Sequence, residues 1–209
     1  GTREFGNGCL LARRLVEHGV RFVCVVSGGG PGNMQWDAHK DIEENHLRKA
    51  SETDQPVAGL LQDLKRRGLL DETLVVAIGE FGRTPKINAK GGRDHWGAVF
   101  SCVLAGAGIS GGQVYGASDK DGAYPADKRV EPGDLTATMF HLLGMEHQTT
   151  FSDQLGREHR LTEGEPIWNL LGDAPATTRR SVSDGNVLRV PPYDPNRHLL
   201  QTGFRADQP

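Results

Sequence analysis

Apolar residues recur along this chain with two different periods. Leu11, Leu15 and Val16 share one face of residues 10–18, and Gly19 follows as a stop, which predicts a helix. Val57, Leu60, Leu61 and Leu64 fall at i, i+3, i+4 and i+7, with Ser51 and Asp54 at capping positions and Gly68 beyond, so residues 51–67 read as the strongest helix. Residues 134–143 repeat the pattern with Leu135, Met139, Leu142 and Leu143 inward and Gly144 at the end. Short, predominantly apolar runs at 20–26, 73–78 and 99–104 read instead as buried strands. Strand, crossover helix and strand in that order predict a right-handed parallel β-α-β unit.

The segment Ser27-Gly28-Gly29-Gly30-Pro31-Gly32-Asn33 continues neither period and reads as a loop that delivers Trp36, Asp37, Ala38 and His39 to the end of a strand. Its glycines match neither G-x-G-x-x-G nor the Walker spacing, which rejects a nucleotide-binding loop. No G-x-S-x-G nucleophile elbow is present. Periodicity fades after residue 172, and residues 173–209, rich in Pro, Arg, Asp and Ser, read as an extended tail. The expected organisation is one domain over 1–172 followed by that tail.

Length and composition narrow the class. A chain of 209 residues is long enough to bury a core, while 28 glycines and 11 prolines imply much loop. A net charge of -3 with scattered cationic residues argues against a nucleic-acid partner. No run approaches the roughly 20 apolar residues of a membrane span. The chain opens Gly1-Thr2-Arg3 without Met, which reads as a cut start. Cys9, Cys24 and Cys102 are far apart in sequence; Cys24 and Cys102 lie in apolar runs, where a small buried thiol is expected, and no disulfide framework is implied.

Chemistry concentrates in three short stretches. Asp37 and His39 lie two apart, so on extended backbone both point to one side and could grip a divalent ion. An Asx-turn Asp beside a solvated His is the alternative. Glu80 follows the apolar run Leu74-Val75-Val76-Ala77-Ile78 between two glycines; it is either functional or paired with Arg83 or Arg93. Arg83 offers a planar fork suited to an anionic oxygen. His95, between Asp94 and Trp96, is a ligand with Asp94 on its other nitrogen, or a loop His packed on Trp96. His18, His46, His147 and His198 read as surface residues, and His141 as a packing or helix-dipole residue.

The order Arg21-Phe22-Val23, Trp36-Asp37-Ala38-His39, Thr53-Asp54-Gln55-Pro56, Gly79-Glu80-Phe81-Gly82-Arg83-Thr84-Pro85 and Gly92-Arg93-Asp94-His95 resembles the DUF1501 family, sulfatase-like proteins of the alkaline phosphatase superfamily. The similarity runs from about Cys9 to Gly172, and Asp134-Leu135-Thr136-Ala137-Thr138 through Gly144 looks like a sulfatase helix. The resemblance implies a three-layer α/β/α fold with a mostly parallel sheet, incomplete at its N-terminus, because the family's first metal Asp and its nucleophile belong to an earlier part. It implies metal ligation by Asp37, His39, Glu80 and His95, with Arg83 and Arg93 as catalytic contacts. Phe81 departs from the pattern, since it stands where a ligand usually follows the strand carboxylate.

The implied activity is the C-terminal part of an exported, periplasmic or secreted, metal-dependent hydrolase of sulfate or phosphate esters, acting on a sulfated or phosphorylated small molecule or glycan. Imidazole ligands favour zinc or manganese over calcium, and the carboxylates leave magnesium open. The alternatives are a non-enzymatic metal-containing module that binds an anionic glycan or a partner protein, and a purely structural ion-pair cluster of Glu80, Arg83 and Arg93.

Overall fold

A computed structural model describes residues 2–28, 36–172 and 188–189. Most of the glycine-rich loop predicted at 27–33 and all but two residues of the tail predicted at 173–209 lie outside the described residues. The chain begins with helix α1 (Thr2–Glu17), which packs against the 25-residue helix α2 (Ile42–Arg66). Four short strands follow: β1 (Val75–Ala77), β2 (Gly82–Arg83), β3 (His95–Trp96) and β4 (Val103–Ala105). Strands β5 (Ala117–Ser118) and β6 (Pro125–Asp127) form a hairpin, helix α3 (Pro132–Leu142) comes next, and β7 (Thr150–Ser152), β8 (Glu158–Arg160) and β9 (Leu188–Arg189) complete the described elements.

The expected three-layer α/β/α fold with a mostly parallel sheet is not what the chain adopts. β1 pairs with β4 antiparallel, β2 with β3 antiparallel, and β5 with β6 antiparallel; β7 pairs antiparallel with β8, and its two-residue contact with β9 is the one parallel ladder among the described residues. The predicted β-α-β unit fails at its first strand. Residues 20–26 are in no strand, and a parallel sheet exists only where neighbouring strands exchange hydrogen bonds. What the apolar run at 20–26 does is lay Val23 and Val25 inward along α1, leaving Phe22 and Val26 exposed.

Helix packing supplies the tightest core. Cys9 and Ala12 of α1 and Leu64 of α2 are buried, Leu64 with 2% of its surface exposed. Two ion pairs tie the same helices across their surface: Arg13 Nε lies 2.9 Å from Asp63 Oδ2, and Arg67 Nη1 donates to Glu17 Oε1 at 3.0 Å. Pro56 sits inside α2, where it cannot donate a backbone hydrogen bond, and its ring faces Gly6 of α1. A second buried point lies at α3, where Thr138 Oγ1 donates to the Asp134 carbonyl and accepts the Ile167 N–H. Of the cysteines expected to be buried, Cys24 and Cys102 are exposed, whereas Cys9 is buried.

Candidate metal centre

Two backbone segments far apart in sequence are clamped together just before α2. Lys40 and Gly91 form an isolated antiparallel bridge, the Arg93 N–H donates to the Ala38 carbonyl at 3.0 Å, and the Ile42 N–H donates to the Gly91 carbonyl at 3.0 Å. The same segment enters β3, which pairs with β2 so that Arg83 stands opposite His95. Asp37, His39, Arg83 and His95 thus meet because one clamp and one two-residue hairpin share the stretch from 91 to 96.

The ligand-type atoms of Asp37, His39 and His95 form a small triangle. His95 Nε2 is 3.0 Å from Asp37 Oδ1, His39 Nε2 is 3.1 Å from the same oxygen, and the two imidazole nitrogens are 3.2 Å apart. With Asp37 ionised, no protonation state of the two imidazoles satisfies all three edges. If both nitrogens carry protons to serve the carboxylate, two donors face each other; if one does not, its lone pair faces a carboxylate oxygen. One cation held by all three atoms would satisfy their lone pairs at once. Ligands about 2.0–2.1 Å from a tetrahedral zinc lie about 3.3 Å from one another, close to the spacing of these atoms.

Asp37, His39 and His95 could therefore hold a metal ion, and they are the group of three among the described residues with the ligand atoms close enough to do so. Two imidazoles and a carboxylate are ligand types that suit zinc. Half of the His95 side chain is exposed. Burial alone would raise the Asp37 carboxyl, but the hydrogen bond from His95 and the Arg83 guanidinium outweigh it and hold its pKa below the ordinary value. The hydrogen bond to Asp94 raises His39, with the Asp37 charge adding to it against desolvation.

Around the triangle the predicted residues separate. Arg83 Nη2 lies 3.2 Å from Asp37 Oδ1 and donates to Glu80 Oε1 at 2.9 Å, so it links the two carboxylates. Glu80, expected among the metal ligands, stands outside the triangle on that guanidinium. Its carboxyl is lowered first by a backbone hydrogen bond within the residue and then by Arg83. The Arg83 guanidinium also lies over the Phe81 ring, 5.0 Å from its centroid, and Phe81 packs on His95 at 4.6 Å. Arg93, expected as a catalytic contact, turns away and donates through Nη1 to the Thr84 and Pro85 carbonyls.

The chain-neighbour partner expected for His95 serves the other imidazole. His39 Nδ1 donates to Asp94 Oδ1 at 2.9 Å, because side chains adjacent on extended backbone point to opposite sides. Asn88, to which the sequence reading gave no role, donates to the same Asp94 oxygen at 3.2 Å and to the His39 carbonyl at 3.0 Å. The signal was present in Asn88-Ala89-Lys90-Gly91-Gly92, an Asn ahead of a glycine turn.

The sequence profile of DUF1501, described as a protein of unknown function, matches residues 1–171. The chain belongs to the DUF1501 family. No curated protein and no solved structure gives a significant match. The DUF1501 match covers every residue of the triangle together with Glu80, Arg83, Asn88 and Asp94. Among the described residues of this DUF1501 chain, no helix is long and apolar enough to cross a membrane.

Proposed function

We propose that Asp37, His39 and His95 hold one divalent cation and that the chain serves metal-dependent hydrolysis of a sulfate or phosphate ester. The frustrated triangle carries the proposal: three lone-pair atoms 3.0–3.2 Å apart, insoluble by protons and soluble by one cation. When bound, the ion supplies Lewis acidity and lowers the pKa of an attacking oxygen. The chain's own residues orient and attract. Asp94 fixes the His39 ring, and Arg83 sets a planar cation beside the triangle where a sulfate or phosphate oxygen can be met. Two imidazoles favour zinc or manganese; one carboxylate keeps magnesium open and makes calcium the poorest fit. The resemblance to sulfatase-like proteins enters this proposal as chemistry and not as fold.

Calorimetric titration of the metal-free protein with Zn²⁺ and Mn²⁺ tests the centre, with one ion per chain expected and binding about a hundredfold weaker or more in His95→Ala. Turnover of an aryl phosphate and an aryl sulfate by the product of the complete reading frame tests the reaction; it should require the metal and vanish in His95→Ala. A protein that binds no ion overturns both statements.

A second reading rests on Phe81. Its ring packs on His95 and under Arg83, filling with hydrocarbon the flank of the triangle nearest Glu80. A metal-containing module that binds an anionic glycan or a partner protein needs no further ligand there. One bound ion with no ester cleaved by the complete product is the result that selects it.

A further inference from the structure

Resting on the metal reading above, we infer that Asp94 and Asn88 are positioning residues that commit His39 to the tautomer with its proton on Nδ1 and its lone pair on Nε2. Asp94 Oδ1 accepts from His39 Nδ1 at 2.9 Å, and an ionised carboxylate can only accept, so the proton of a neutral His39 ring belongs on Nδ1. Nε2 is then the atom that faces Asp37 Oδ1 and His95 Nε2. His95 has no such carboxylate on Nδ1 among the described residues, so the two imidazoles of the triangle are not equivalent.

Asn88 makes the brace rigid. Its Nδ2 donates both to Asp94 Oδ1 and to the His39 carbonyl, joining the carboxylate to the backbone of the very residue it orients. Its Oδ1 accepts the Lys90 and Gly92 N–H groups at 2.9 and 3.0 Å, which leaves the amide no freedom to flip. Asp94 is held from its other side as well, its backbone N–H donating to Thr84 Oγ1 at 3.1 Å while its carbonyl accepts the Thr84 N–H at 2.8 Å. Carboxylate partners of ligating imidazoles raise ligand basicity and fix ring orientation, and their loss typically costs 10–100-fold in metal affinity.

The test compares wild type with Asp94→Ala, Asp94→Asn and Asn88→Ala in the whole chain. It measures Zn²⁺ affinity by competition with a chromophoric chelator and the ring ¹⁵N shifts of His39 in metal-free protein at pH 8. Asp94→Ala should bind zinc 10–100-fold more weakly and show His39 with its proton shared between Nδ1 and Nε2. Asp94→Asn, which keeps an acceptor oxygen, should recover the Nδ1–H tautomer and part of the affinity. Asn88→Ala should weaken binding in the same direction, and it carries the test if Asp94→Ala fails to fold. Zinc affinity within twofold of wild type in Asp94→Ala, with unchanged His39 shifts, overturns the inference and leaves the metal centre standing. If wild type binds no zinc, the metal reading falls, and the ¹⁵N shifts alone decide whether the brace sets the tautomer.

Discussion

Gly92 lies directly against the peptide that joins His39 to Lys40: a Cβ at position 92 would stand 2.1 Å from the His39 carbonyl carbon and 2.2 Å from the Lys40 nitrogen. Both atoms are backbone, so neither can swing aside. Gly92→Ala should lose about 1–3 kcal/mol or more, the range of forced overpacking, and should weaken zinc binding by parting the segments that carry the ligands. Gly97→Ala, where a Cβ meets nothing within 4 Å, is the control and should stay within about 0.5 kcal/mol of wild type. Urea unfolding in a chelator reads the first effect and zinc titration the second.

Removing one ligand should cost more than removing a brace. Four-ligand structural zinc sites are worth about 10–16 kcal/mol, or about 3 kcal/mol per ligand, so His95→Ala or Asp37→Asn should weaken zinc by about a hundredfold or more. Arg93→Ala should leave zinc affinity near wild type, because its guanidinium contacts the Thr84 and Pro85 carbonyls and not the triangle. Its cost should appear in thermal stability.

Acid should weaken the β7–β8 hairpin through Asp153. The backbone N–H of Arg157 is the largest of several hydrogen bonds that depress its carboxyl, the others coming from His159 Nε2, the Arg157 side chain and the Leu155 N–H. A depressed native pKa contributes stability that is complete above the unfolded value of about 3.9 and fades as pH falls from there toward the native value. The melting-temperature gap between wild type and Asp153→Asn should therefore be full at pH 6 and narrow below about pH 4. Thermal unfolding from pH 2.5 to 7 in a chelator measures it; a gap that widened in acid would refute the assignment.

Leu64 is the largest apolar side chain that the α1–α2 contact buries completely. Leu64→Ala should cost about 2–5 kcal/mol, whereas Leu47→Ala on the same helix, 67% exposed, should fall within about 0.5 kcal/mol. Denaturant midpoints at constant slope separate the two.

Helices were more legible than sheets, and the reason is the range of the forces involved. The stripe Val57, Leu60, Leu61 and Leu64 marks α2 because a helix satisfies its backbone within itself. Its true start at Ile42 escaped the pattern, since residues 42–50 are mostly polar and Ser51 and Asp54 resemble caps. The run at 20–26 is rich in strand-forming residues but pairs with no strand among the described residues, and a partner is what the sequence does not spell. Position in the chain singled out Asp37, His39 and His95, which the clamp at Lys40 and Gly91 brings together. The sequence leaves Glu80 open between a functional role and a pair with Arg83 or Arg93, and its ligand role comes from the resemblance. The structure places the Arg83 guanidinium on its carboxylate. Asn88 works only through three-dimensional proximity to His39, 49 residues away, and so gave only a turn signal.

The bridge between Lys40 and Gly91 sets what should hold the candidate centre together. In a zinc finger the ion itself draws distant ligands together, so chelation and unfolding are one event. Here a backbone bridge between Lys40 and Gly91 joins the two segments, and Asp37 Oδ1 and His95 Nε2 meet across 58 positions. If the triangle holds an ion, cation exchange should therefore be separable from folding: after chelation the far-ultraviolet circular dichroism and the urea midpoint should show a chain that stays assembled.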